Sequence, residues 1–191
     1  MRTVRDIIPN ALSLSRIPLG MAFLLLYSTS EAWRFWSALA VAMLALLTDI
    51  ADGRLARRWK VTSDAGALID GLGDKAFYVA VYLVIAANHA AESLLLWALI
   101  FREVALYALR TIDGNRSQNT KQLRWASLAY AFVIRMYFLY FVLAGWFSVT
   151  QRPVPFPIGY GFLFGYVAAI FGYIGLVKLA QQITERSGLR G

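Results

Sequence analysis

The sequence predicts an all-α integral membrane protein, a bundle of six transmembrane helices preceded by a short N-terminal amphipathic segment. Three observations carry that prediction. The 191 residues are 59% hydrophobic and 15% aromatic, with a mean hydropathy of +0.56, which is too apolar for an ordinary soluble domain. The apolar residues gather into six runs, each near the roughly 20 residues needed to cross a bilayer. The basic residues fall in alternate connections between the runs, as they do in a chain that crosses a membrane an even number of times.

Taken in order, the runs are residues 9–29, 33–50, 67–87, 93–112, 125–147 and 158–180. The start, Met1 to Arg5, is too short and charged for a cleavable signal peptide, so the first run is expected to remain as a helix. Thr62 and Ser63 can cap a helix beginning near Asp64. Gly114, Asn115, Ser117 and Asn119 make a polar break before the fifth run. Trp33, Trp36, Tyr137, Tyr140, Trp146 and Phe156 crowd the run ends, which is expected of interfacial anchors. Gly159, Gly161, Gly165 and Gly172 would allow close helix packing by the sixth run, within the chain or in a dimer. No linker or repeat divides residues 1–191, so one membrane domain is expected.

Charge gives the orientation. Arg2 and Arg5, then Arg54, Arg57, Arg58 and Lys60, then Arg110, Arg116, Lys121 and Arg124, then Lys178, Arg186 and Arg190 share one side of a six-helix chain. The other side holds Arg34 and Arg152. Positive residues are retained on the cytoplasmic side, so both termini and the 49–74 region are placed there. The formal charge of +8 is thereby read as contact with a membrane surface, not with nucleic acid. The absence of cysteine excludes disulfides, thiolate metal sites and a cysteine nucleophile. The sole histidine, His89, is expected in the exposed connection after the third run, away from the acids.

Four acids lie at the ends of the second and third runs. Asp49 and Asp52 are three residues apart and Asp70 and Asp74 four apart, so each pair projects from one side of its helix. An antiparallel hairpin of the two helices would bring all four together. Such a cluster repels itself and resists desolvation unless cations compensate it. Oxygen-only ligation suits Mg²⁺, Mn²⁺ or Ca²⁺ better than zinc. The plainer alternative is that the acids pair with Arg54, Arg57, Arg58, Lys60 and Lys75 at the interface. Interleaving with Gly53, Ala56 and Gly66 favours a site, because small residues permit close approach of a nucleotide or a helix.

Asp49-x2-Asp52-Gly53-x2-Ala56-Arg57-x8-Gly66-x3-Asp70-x3-Asp74 resembles the signature of the CDP-alcohol phosphotransferase family (the CDP-alcohol phosphatidyltransferases) at every defining position. The first run carries a similar likeness, with Asn10-Ala-Leu-Ser13-Leu-Ser-Arg16-Ile17 resembling the family's Asn-x-Leu-Thr-x-x-Arg-Ile. The resemblance implies transfer of a substituted phosphate from a CDP-linked donor to an alcohol, with release of CMP. It implies two Mg²⁺ or Mn²⁺ ions held by Asp49, Asp52, Asp70 and Asp74, with Asp74 also the base on the acceptor hydroxyl. It places Gly53, Ala56, Arg57, Gly66, Asn10 and Arg16 on the donor side, and it implies a homodimer. A site at the membrane face suits a donor whose acyl chains stay in the bilayer, namely CDP-diacylglycerol.

For the acceptor, Arg102-Glu103 followed by Arg110 resembles a segment of the phosphatidylglycerophosphate synthases, as does Asp74-Lys75. Arg102 and Arg110 lie about 80° apart around a helix. With Lys75, Lys121, Arg124 and Arg135 they would suit glycerol 3-phosphate. The subgroup's Gly-Lys-x-Lys-Thr before the fifth run is replaced by Thr120-Lys121-Gln122-Leu123-Arg124-Trp125. That departure keeps other acceptors open: phosphatidylglycerol in cardiolipin synthesis, inositol phosphate, or serine. A non-catalytic, cation-binding transporter is the alternative from another class.

Overall fold

Helix accounts for all the regular structure among the described residues, which in this computed structural model are 4–61, 63–89, 93–113, 121–157 and 159–188. In chain order the helices are α1 (Val4–Leu26), α2 (Ala32–Trp59), α3 (Asp64–His89), α4 (Ser93–Asp113), α5 (Lys121–Val149) and α6 (Gly159–Gly188). Four of them, α1, α2, α5 and α6, are long and apolar enough to cross a membrane. The other two carry charge within their length: Asp70, Asp74 and Lys75 on α3, and Arg102, Glu103 and Arg110 on α4. From Val4 onward the N-terminal segment is continuous with α1 and forms no separate piece.

The chain divides into two compact units, Met1–His89 and Ala90–Gly191. In the first, α1 packs on both α2 and α3. The expected α2–α3 hairpin is therefore bridged by α1, which makes the extensive contacts with both arms. Gly20 allows part of that approach, since a Cβ there would lie 3.4 Å from Ala80 Cβ and from the Phe77 backbone. Phe23 touches Phe77 of α3 and Tyr27, and Tyr27 touches the fully buried Phe35 of α2, with ring centroids 5.6–5.8 Å apart. Each such pair contributes about 0.5–1.5 kcal/mol beyond burial.

Local signals set the helix ends. Arg34 donates to the Leu25 carbonyl at 2.7 Å, tying the start of α2 to the end of α1. At the end of α2, Lys60 adopts the left-handed conformation (φ 56°) and its N–H turns back to the Ala56 and Arg57 carbonyls. That reversal needs no glycine. Ser63 then caps α3, its Oγ accepting the Gly66 N–H at 3.0 Å. Thr62 lies outside the described residues, as does the His89 side chain.

In the second unit α6 packs on α4 and α5. Its glycines press on large side chains: Gly161 on Tyr140 and Phe141, Gly165 on Leu95 and Tyr137, and Gly172 on Arg102 and Tyr130. Gly159 has open space around it. The close packing of this helix is thus internal to the unit at three of the four glycines. Tyr137 and Tyr140 are buried core residues, which corrects their reading as interfacial anchors. The Tyr140 hydroxyl donates to the Pro157 carbonyl at 2.8 Å, 17 residues along the chain. Trp33, Trp36 and Phe156 are more than half exposed, as anchors would be.

Candidate functional site

Three helices of the first unit build the site. Asp49 and Asp52 stand one turn apart on α2, Asp70 and Asp74 one turn apart on α3, and α1 enters between them with Ser13 and Arg16. The Arg16 guanidinium reaches all four acids. Its Nη1 donates to Asp49 Oδ1 at 2.8 Å and to Asp74 Oδ1, and its Nη2 donates to Asp52 Oδ2 and Asp70 Oδ1, each at 2.5 Å. Each nitrogen thus takes one carboxylate from α2 and one from α3. Ser13, one turn earlier on α1, donates its hydroxyl to Asp52 Oδ2 at 2.6 Å.

The cluster has an inner and an outer side. Arg16 and Asp52 side chains are 2% and 5% exposed, whereas Asp49, Asp70 and Asp74 are 45%, 47% and 37% exposed. Four carboxylates against one guanidinium leave a formal excess of negative charge on the open side. Asp49, Asp70 and Asp74 each present an oxygen within 4.8 Å of the others. An all-oxygen set at this spacing fits a hard divalent cation, so the residues present suit the implied metal.

Beside the acids lies a cavity of about 180 Å³ lined by Asn10, Ser13, Asp52, Gly53, Ala56, Arg57, Ser63, Gly66 and Asp70, with Pro9, Val61 and Ala67. Five of the six residues assigned to the donor side by resemblance line it together; Arg16 stands among the acids instead. The small residues have specific neighbours. A Cβ on Gly53 would lie 3.3 Å from Arg57 Nη1, and one on Gly66 would lie 3.2 Å from Asn10 Oδ1 and from Ser63 Oγ. Larger side chains at either position would push Arg57 or Asn10 out of place.

The predicted acceptor residues divide between the units. Lys75 follows Asp74 on α3, with its Nζ 5.4 Å from the Tyr78 ring centre. In the second unit Arg102 is buried, donates to Glu103 Oε1 at 2.8 Å and lies 3.5 Å over the Tyr130 ring. The Tyr130 hydroxyl also donates to Glu103. Arg102 Nε and Arg110 Nε are buried with no hydrogen-bond partner among the described residues. Arg135 is exposed on α5. Lys121 and Arg124 fall in the first turns of α5, and their side chains lie outside the described residues.

Sequence reasoning missed two features of the site. It did not foresee that Arg16 would be the acids' ion-pair partner, having weighed only the basic residues nearest to them in sequence. The signal was the three-residue spacing of Asn10, Ser13 and Arg16, which lines them along one side of α1. It also passed over Gly73, where an added Cβ would collide with the Ser13 carbonyl. Without that glycine α1 could not come this close to α3.

A family model described as CDP-alcohol phosphatidyltransferase matches residues 6–174. A CDP-diacylglycerol–glycerol-3-phosphate 3-phosphatidyltransferase of Cereibacter sphaeroides is 34% identical over 140 residues, 69% of this chain and 63% of the relative. Proteins of the same description from Pseudomonas fluorescens and Escherichia coli K12 are 30% and 34% identical. These matches take in 73% and 54% of this chain, and 78% and 58% of the relatives. The chain therefore spans less than two thirds of the length of several relatives it matches.

Proposed function

The chain belongs to the CDP-alcohol phosphatidyltransferase family, and from that premise we propose that it transfers the phosphatidyl group of CDP-diacylglycerol to glycerol 3-phosphate, forming phosphatidylglycerophosphate and CMP. The observation that carries this reading is the juxtaposition of the four-aspartate cluster with a cavity lined by Asn10, Gly53, Ala56, Arg57 and Gly66. The description shared by the relatives supports the choice of donor and acceptor.

In this reading the cytidine diphosphate enters the cavity against Gly53, Ala56 and Gly66, with Arg57 facing the diphosphate and Asn10 at the cavity wall. Asp49, Asp52, Asp70 and Asp74 would hold the divalent cations, proposed to be two Mg²⁺ or Mn²⁺ ions. Bound there, the ions would offset the diphosphate charge and that of the departing CMP. The acceptor hydroxyl oxygen forms a bond to the phosphatidyl phosphorus as the bond from that phosphorus to the CMP oxygen breaks. Asp74, 37% exposed on the open side of the cluster, takes the hydroxyl proton. Lys75, next to Asp74 on α3, is the proposed source of positive charge for the acceptor phosphate within this unit.

We place this chemistry at the cytoplasmic face of a bacterial inner membrane, in a single domain with six transmembrane helices that functions as a homodimer. The alternation of basic residues and the exposed apolar faces of the helices support the placement.

Purified protein supplied with CDP-diacylglycerol, glycerol 3-phosphate and Mg²⁺ or Mn²⁺ should release CMP and form phosphatidylglycerophosphate. Turnover with phosphatidylglycerol, inositol phosphate or serine, but not with glycerol 3-phosphate, would reject the acceptor and keep the reaction class. Ion flux without CMP release would reject the enzyme.

A further inference from the structure

Arg16 bridges all four aspartates of the first unit. It is 2% exposed and sits on α1 with Nη1 and Nη2 each shared between an acid of α2 and an acid of α3. The position is held from behind, because Gly73 lets the α1 backbone at Ser13 close on α3 and lies 3.6 Å, at the place of a Cβ, from Arg16 Nε. A guanidinium withdrawn this far from solvent needs compensating charge, and its planar fork can serve several carboxylates at once as an ammonium cannot.

We propose that Arg16 is a positioning residue that serves as the built-in counter-charge of the aspartate cluster. It gathers the four carboxylates and competes with divalent cations for them, so that cation affinity is set from α1. This rests on the reading of the aspartates as the cation site. The fork links the α2 pair to the α3 pair, the two arms that α1 joins. Asp49, Asp70 and Asp74, whose oxygens are spaced to hold a cation, are three of its four partners. A positive charge a few ångströms from an arriving dication weakens its binding by Coulomb repulsion, and only part of that is screened at a half-exposed site.

The sign of one measurement separates this role from simple structural support. If Arg16 only held the helices together, its loss would splay the carboxylates and weaken cation binding. If it competes with cations, its loss strengthens their binding. The test is a Mn²⁺ titration followed by electron paramagnetic resonance, on full-length protein in detergent without substrate, for wild type, Arg16→Gln and Arg16→Lys. Mn²⁺ should bind Arg16→Gln about tenfold or more tighter than wild type, with Arg16→Lys between them. Thermal midpoints should fall in both variants without added cation and return towards wild type as Mn²⁺ saturates. Unchanged or weaker Mn²⁺ binding in Arg16→Gln would overturn the proposal, as would a lack of Mn²⁺ binding by all three proteins.

Should Arg16→Gln not fold, Arg16→Lys decides. It keeps the charge but cannot span four carboxylates, so its thermal midpoint should rise more on Mn²⁺ addition than that of wild type; an equal rise would overturn the proposal. The transferase reading fails separately. Wild type that binds Mn²⁺ but releases no CMP would reject that reaction and leave the role of Arg16 standing. Normal CMP release with unchanged Mn²⁺ affinity in the variants would do the reverse.

Discussion

Single side chains decide the chemistry, and the four aspartates divide by environment. Asp52 is turned inward to Ser13 and Arg16, while Asp49, Asp70 and Asp74 face the open side of the cluster. Asp70→Asn and Asp74→Asn should each lower CMP release by about a hundredfold or more, since in the proposed reaction each removes a charge at the reacting centre. A release assay on variants with unchanged circular dichroism checks this, and near-normal turnover in both would sink the assignment. Gly73 gives a prediction about stability. Gly73→Ala drives a methyl group into the Ser13 carbonyl, with an overpacking cost of about 1–3 kcal/mol. Gly159→Ala, with nothing within 4 Å, should stay within about 0.5 kcal/mol of wild type. Thermal melts of the two variants side by side would expose an error in either. The acids, Gly53 and Gly66 were legible in the sequence because spacing along a helix fixes which face they share. Gly73 was not, because what it accommodates is 60 residues away in the chain, beyond the reach of any local pattern.

At the scale of the element, helix ends and helix pairs carry the site. Ser63 is the cap of α3, through Gly66 N–H, and Ser63→Ala should cost about 0.5–2 kcal/mol. The same serine lines the cavity, so the apparent affinity for the CDP donor should fall with stability; donor affinity unchanged in Ser63→Ala would separate cap from cavity. In the second unit the buried Arg102–Glu103 pair depends on the Tyr130 hydroxyl. Tyr130→Phe takes away one donor to a buried carboxylate and should cost about 1–3 kcal/mol, measured by the loss of thermal midpoint. Helix positions were largely legible, since long apolar runs and polar breaks mark them. The partner of each helix was not. Hydrophobic runs say that α2 and α3 are helices, but not that both lean on α1; that depends on where glycine and small residues permit the closest approach.

For the whole molecule, topology is the open quantity that a labelling experiment fixes. The chain has no cysteine, so single substitutions report cleanly. With six crossings, Asn88→Cys should react with a membrane-impermeant maleimide from outside intact cells, and Arg186→Cys only after the membrane is opened. Protection of Asn88→Cys in intact cells would instead fit a chain in which α1, α2, α5 and α6 alone cross. The sequence by itself determined the class of the protein, its helices and the residues of its acidic site, because apolar length, turn residues and helical spacing are local properties of a chain. Only the tertiary structure decided that Arg16 stands among the four acids and that Tyr137 and Tyr140 belong to the core. Those outcomes depend on which distant surfaces can approach within van der Waals contact, and charges on separate helices find each other only once that packing is set.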